Sequence, residues 1–200
     1  MSHNKALEKI LFLEIEEQEK KEKEINQNYL SSKTYVIVGA ARIKQLTNEL
    51  IALTTLDYEN LFMPHEQEEL EEVAPYLIEL KKEDDFTTWV YENVYGKQGA
   101  IFIHSSQSIE ELAEQIRPYI TTTTKIPNPK NEAELIEVEA YMRLYDPRVF
   151  PRFVKKLKDY RASFFLNIES IYIENKMNED ELLKFKVEKE IVLKLTEEVV

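Results

Sequence analysis

The sequence predicts an α/β or α+β domain built on one mixed sheet flanked by helices, with a helical N-terminal extension and a C-terminal helix. Three observations predict it. Runs rich in β-branched and aromatic residues, such as TYVIVGAA (34–41) and GAIFIHSS (99–106), read as buried strands. Segments with apolar residues three and four apart lie between such runs. Helix-start and helix-stop residues mark their boundaries. Strands alternate with helices for most of the 200 residues, which gives one main sheet, some of whose pairs can be antiparallel. The organisation is an extension over 1–31 and a domain over 32–200.

Each element has its own signal. Residues 4–29 read as a helix with a short apolar stripe, Leu7, Ile10, Leu11 and Ile15. EEQEKKEKE (16–24) carries no apolar residue and reads as a solvated helix with only its first part docked, or else as a partner-binding amphipathic helix. After the first strand, Ile43, Leu46, Leu50 and Leu53 share one helical face. LDYENLFMP (56–64) is a loop or short strand, and Pro64 suits the first turn of the acidic segment 65–72. VAPYLIEL (73–80) is a second strand. Asp84 or Asp85 caps the helix FTTWVYENVY, which Gly96 closes, and Trp89 belongs to the core. Ser108 and Glu111 form a capping box for IEELAEQIRPY, ended by Pro118.

YITTTT suggests a further strand, IPNPKNEAE (126–134) an exposed loop, and ELIEVEAYMRLYD (134–146) a long strand. VFPRFVKKL is a short helix and SIYIEN (170–175) a last strand. Leu183, Val187, Ile191, Leu195 and Val199 step by four along a terminal helix capped by Asn178 and Glu181.

A formal charge of −12 makes a surface that repels nucleic acid and anionic lipid. Only three glycines argue against phosphate-cradling loops. The absence of cysteine excludes disulfide and thiol chemistry. The N-terminus lacks a signal peptide's apolar region, and no stretch reaches the roughly 20 apolar residues of a membrane span. A soluble cytoplasmic protein is the expectation, with no membrane insertion. The histidines, His3, His65 and His104, have no metal-ligand spacing. No serine sits in a nucleophile elbow. His104, at a strand end, reads as a rim residue, since no nucleophile or orienting partner accompanies it. No catalytic site, metal or cofactor is expected.

One stretch stands apart, YMRLYDPRVF (141–150). Asp146 fits a helix N-cap and Pro147 the first helical position. Arg148 then stands against the helix dipole and needs a carboxylate, expected from a neighbouring element. Either the pair fixes a corner or the arginine grips a partner.

With this corner the chain resembles the type VI secretion effector chaperones, or adaptor proteins, whose shared domain long carried only an unknown-function label. Other pieces fall in the family's order: Tyr35 to Val38, then Tyr58, Leu61 and Phe62, then Ala74 to Leu80. Phe86 with Trp89, Gly99 to Phe102, Leu112 with Arg117, the Tyr-Asp-Pro-Arg corner and Phe164-Phe165 complete the set, over about residues 34–175. Departures are Gly39-Ala40 for an Asp-Gly, Gln115-Ile116-Arg117-Pro118 for a His-Leu-Arg-Arg, and Leu166-Asn167 for a Gly-Pro. The resemblance implies a non-enzymatic adaptor that binds a toxic effector and brings it to the trimeric spike protein. On that footing Tyr145, Asp146, Arg148 and Arg117 are the candidate protein-binding residues. A toxin-neutralising immunity protein and a hydrolase using exposed carboxylates are the alternatives.

Overall fold

Strand β1 (Lys33–Gly39) is buried on both faces after its first residue. In the computed structural model, which describes residues 7–13, 15–17, 20–21, 31–53, 56–157, 160–175, 181–188 and 194–199, it is an interior strand, third in a seven-stranded sheet. The other strands of that sheet are β2 (Tyr58–Asn60), β3 (Pro75–Leu80), β4 (Ala100–Ser105), β7 (Ile168–Glu174), β8 (Leu182–Glu188) and β9 (Lys194–Val199). Their order is β2-β3-β1-β4-β7-β8-β9. A separate two-stranded ribbon is formed by β5 (Thr121–Asn128) and β6 (Asn131–Tyr141). The helices are α1 (Leu46–Leu53), α2 (Gln67–Leu70), α3 (Asp85–Asn93), α4 (Ile109–Ile116), α5 (Phe150–Lys156) and α6 (Arg161–Phe164).

The α/β class holds, but the sheet is antiparallel at every pairing rather than mixed. Helix α3 carries the chain from β3 to β4, which run the same way but flank β1 on opposite sides. Strand–helix alternation therefore arises without parallel neighbours.

The C-terminal helix is also corrected: Leu182–Glu188 and Lys194–Val199 are strands that extend the sheet beyond β7. A step of four keeps residues on one face of a helix and equally on one face of a strand, so the spacing could not discriminate. The alternation in LLKFKVE favours the strand, and the β7 edge supplies its ladder. Asn178 lies outside the described residues.

The ribbon replaces the expected loop at 126–134. Its turn is Pro129-Lys130, and the Asn128 side chain accepts the Lys130 N–H at 2.9 Å. Strand β6 ends at Tyr141, and Leu144 enters the core instead.

Register assigns the two sheet faces. Thr34, Val36 and Val38 share one face with His104, Phe102 and Ala100; Tyr35 and Ile37 share the other with Ile103 and Ile101. On the second face Tyr35 Oη donates to the Gln107 carbonyl at 2.6 Å, just before α4, and Phe150 of α5 meets Phe185 with ring centres 5.4 Å apart. Phe153, Phe164 and Tyr119 extend that aromatic cluster.

On the first face sits the N-terminal segment, with Leu7, Leu11 and Ile15 buried, a π-helical turn at Lys9–Leu13, and the Leu11 carbonyl accepting from Thr34 Oγ1 at 3.2 Å. Glu16, Glu17, Lys20 and Lys21 are exposed, and residues 22–30 lie outside the described residues.

Local caps form as their chemistry requires. Asp84 accepts the N–H groups of Phe86 and Thr87 at 2.9 and 3.1 Å. Ser108 and Glu111 close a reciprocal box. Gly96 takes a φ of 80°, the left-handed conformation that ends α3 without a Cβ penalty. Trp89 packs partly buried against the core and stacks on Phe86 at 5.4 Å.

His104 is not a rim residue. It is 3% exposed, covered by the N-terminal segment and β7, with Nδ1 3.3 Å from Ser170 Oγ and its ring 4.9 Å from Tyr172. Burial, aided by the Lys184 charge and only partly opposed by the Leu11 backbone, pushes its pKa from 6.5 down to about 3. Between those two values the unfolded chain binds a proton that the folded chain refuses, so stability falls as pH drops through the window. The expected slope reaches ~1.4 kcal/mol per pH unit from this one group. Urea titrations at pH 7, 6 and 5 will show a smaller pH dependence for His104→Gln than for the parent, whatever the absolute stability of the variant.

Candidate functional site

The corner at residues 144–150 closes on itself. The Asp146 carboxylate accepts the Arg148 backbone N–H at 2.9 Å, Arg148 Nε at 2.8 Å and Arg148 Nη2 at 2.5 Å. An Asx turn thus places the guanidinium two residues on in fork geometry against the same carboxylate. The partner of Arg148 is Asp146 itself, not a carboxylate from a neighbouring element. Nor does the helix begin at Pro147: α5 starts at Phe150, with Val149 at the cap and Pro151 in the first turn. The Asp146 carbonyl accepts from Val149 and Phe150, so the turn leads into the helix through backbone bonds. Arg148 precedes the helix, and its charge is answered before it meets the dipole.

Burial decides what these side chains can touch. Asp146 is 3% exposed and Tyr145 is buried, whereas the Arg148 side chain is 38% exposed. Burial pushes the Asp146 carboxyl up, but the Arg148 hydrogen bonds and charge, with Arg143, overcome that push and hold it below the usual range. Burial raises the Tyr145 hydroxyl pKa, with the Asp146 charge adding to it and Arg143 and Arg42 opposing. The Tyr145 ring packs against Gly39 at the end of β1, where any Cβ would overlap it. Gly39 is therefore required by close approach, a need that strand periodicity does not reveal.

Arg117 belongs to a different junction. It sits in the 3₁₀ turn Arg117–Tyr119 after α4, pairs with Glu59 at 2.5 Å and donates to the Asn60 carbonyl at 3.2 Å. It pins the short edge strand β2 to α4. Among the described residues no hydrogen bond or ion pair joins Arg117 to the corner. Gln115, which stands where the resembled family has histidine and to which the sequence assigns no role, donates to the carbonyls of Phe164 and Leu166 at 2.8 and 3.0 Å and accepts from Gln107. It ties α4 to the turn before β7.

A shallow, open depression is lined by Arg42, Gly96, Lys97 and Gln98. Arg42 Nε there donates to the Lys97 carbonyl at 3.1 Å. Among the described residues, no group of three or more His, Asp or Glu is arranged to hold a metal ion, and no helix is long and apolar enough to cross a membrane.

Two substitutions test the corner. Gly39→Ala will destabilise by ~1–3 kcal/mol through overpacking against Tyr145. Asp146→Ala removes the acceptor of a charge-assisted fork and a backbone N–H, and will cost ~1–3 kcal/mol in urea unfolding. The Asp146 contribution is present above pH 3.8 and is lost as pH falls through its lower folded value, so the variant and parent converge in strong acid. An Asp146→Ala protein as stable as the parent at pH 7 contradicts the structural role.

No curated protein and no solved structure matches the chain. One family does, the domain of unknown function DUF4123, over residues 34–163. The matched span runs from the first residues of β1 through the Tyr145–Arg148 corner into α6, and on that match the chain belongs to the DUF4123 family.

Proposed function

We propose that this protein is a type VI secretion adaptor: it binds a toxic effector and brings it to the trimeric spike protein of the apparatus. The observation that carries the reading is the family membership over residues 34–163, taken with the ordered motifs that end in Tyr145-Asp146-Pro147-Arg148. The physical design agrees with it. The corner spends its charged groups on one another, so it serves as a rigid keystone, and binding falls to surfaces that the keystone holds in place. Of Tyr145, Asp146, Pro147 and Arg148, Arg148 alone is not buried. The unfilled outer edge of its guanidinium is available to a partner's carbonyl or carboxylate.

An immunity protein is the second reading. A formal charge of −12 favours it, since an acidic surface complements a basic toxin site. The two differ in what they hold: an adaptor engages the spike as well as the effector, an immunity protein only the toxin's catalytic domain.

Co-expression of the tagged chain with the spike protein and candidate effector from its genome, followed by size exclusion, separates them. A complex containing both partners is the expected result. Effector alone, with protection of cells from the toxin, identifies an immunity protein. A folded chain that retains neither partner overturns the adaptor reading. Arg148→Ala, checked for folding by circular dichroism, is expected to weaken partner retention without unfolding the chain.

A further inference from the structure

The β5–β6 ribbon is unlike the rest of the molecule. A two-stranded ribbon standing apart from a sheet is marginal in water unless something packs against it. Here one face of β6 is half-buried, with Ile136, Val138 and Ala140, while the other, with Leu135, Glu137, Glu139 and Tyr141, is exposed. The exposed face is fixed at its base. The Tyr141 ring lies 4.7 Å from Phe62, its hydroxyl donates to Glu66 Oε1 at 2.6 Å, and the Met142 N–H reaches the Ile120 carbonyl at 2.6 Å. Glu66 also accepts from the Met63 N–H at 3.2 Å, so the ribbon's outer face continues into the β2–α2 segment.

Two independent properties meet on this continuous surface. One is apolar exposure. Nine large hydrophobic side chains are exposed among the described residues, and five of them (Tyr58, Met63, Val73, Leu135 and Tyr141) belong to residues 57–73 and the ribbon's outer face, whereas Ile126, opposite Ile136, is on the other face of the ribbon. Leu135, at 61%, is on the outer face of the ribbon. The other property is charge. Residues 57–73 hold seven carboxylates and no lysine or arginine, and residues 121–141 hold four against two lysines, so formal charges of −7 and −2 account for nine of the chain's twelve net negatives. Arg117 answers Glu59, and Lys125 lies 3.4 Å from Glu137 in an exposed pair, while Glu68, Glu69, Glu71, Glu72, Glu134 and Glu139 are exposed. Acidity alone is a solvated face. Acidity interleaved with exposed Leu135, Tyr141 and Met63 selects a ligand that offers both large apolar side chains and positive charge.

The geometry points to a docking surface formed by the outer face of the β5–β6 ribbon and the β2–α2 segment, whose occupant is a basic, apolar segment of a partner protein. Along β6 the outer face reads apolar, acid, acid, apolar at Leu135, Glu137, Glu139 and Tyr141. A complementary segment places lysines or arginines between two large apolar residues. This deepens the adaptor reading, and rests on it, by naming the surface and the chemistry of the segment it takes.

The experiment has two arms. In the first, two synthetic 12-residue peptides with the same leucine positions, one with lysine and one with glutamate between them, are titrated into the full ¹⁵N-labelled chain. The lysine peptide is expected to shift resonances of Met63, Leu135, Glu137, Glu139 and Tyr141, and the glutamate peptide none. Leu135→Ser, and separately Glu137→Lys with Glu139→Lys, each weaken the lysine peptide about tenfold or more. Glu110→Lys with Glu114→Lys, exposed acids on α4, leaves it unchanged. Shifts spread over every acidic surface, or an equal loss in the α4 variant, overturn the proposal in favour of plain charge attraction. In the second arm the same variants enter the co-purification. Loss of the partner with the ribbon variants supports the surface. Full retention by them overturns the surface while the adaptor reading stands. If the parent retains no partner, the adaptor reading fails and the peptide titration alone decides the surface.

Discussion

Asp146 holds three donors of its own turn, and through them the corner that locks α5 and the aromatic layer onto the centre of the sheet. A carboxylate this buried loses most of its hydration, which costs several kcal/mol unless its lone pairs are filled. The Arg148 fork and backbone N–H fill them from two residues away, so the compensation needs no long-range alignment. Next to Asp146, the Tyr145 ring packs against Gly39. Gly39 ends β1, and its N–H meets the Gly99 carbonyl at 3.2 Å while the Ala40 N–H meets Ala74 at 2.9 Å. One local ion pair thereby registers the corner against the ends of three strands. The burial of Phe150, Phe153 and Phe164 over the sheet depends on that registration.

This explains why the corner was legible as a motif but not as a mechanism. The sequence showed an arginine in an awkward place and a carboxylate beside it. It did not show that the side chain at 146 folds forward onto residue 148, because that follows from turn geometry rather than from spacing. Caps were legible for the opposite reason: Ser108 with Glu111, and Asp84 before α3, act within four residues. The step from Leu183 to Val187 satisfies helical and extended periods alike, and the alternation of LLKFKVE together with the edge of β7 decides for a strand. His104 was misplaced because its cover comes from Leu7 to Ile15, some ninety residues earlier in the chain. The long reach of that contact leaves no local trace. The ribbon was half-read, since Pro127 and Pro129 look like loop residues until Asn128 is seen to close the turn between paired strands.

Arg117 and Gln115 show how a candidate site can dissolve into support. Both lie at the end of α4, and both spend their donors on carbonyls of other elements, Asn60 for one and Phe164 and Leu166 for the other. Edge strand β2 has three residues, too few to hold its place by ladder bonds alone. Its attachment to Arg117 steadies the segment that leads into α2 and so the base on which the ribbon stands.

The division of labour that results is electrostatic as much as geometric. Inside, charges are answered locally: Asp146 by Arg148, Glu79 by Lys33 at 2.8 Å, Glu59 by Arg117. Outside, they are left in excess on the ribbon and the β2–α2 segment. Excess surface charge adds nothing to the stability of the fold and opposes compaction slightly through self-repulsion. On its own such charge keeps the surface solvated. On the proposed docking surface, attraction of an oppositely charged partner would raise the rate of encounter, while apolar contacts at Leu135 and Tyr141 would set how long it lasts. Under the adaptor proposal, that combination would serve capture by charge and release governed by the apolar contacts.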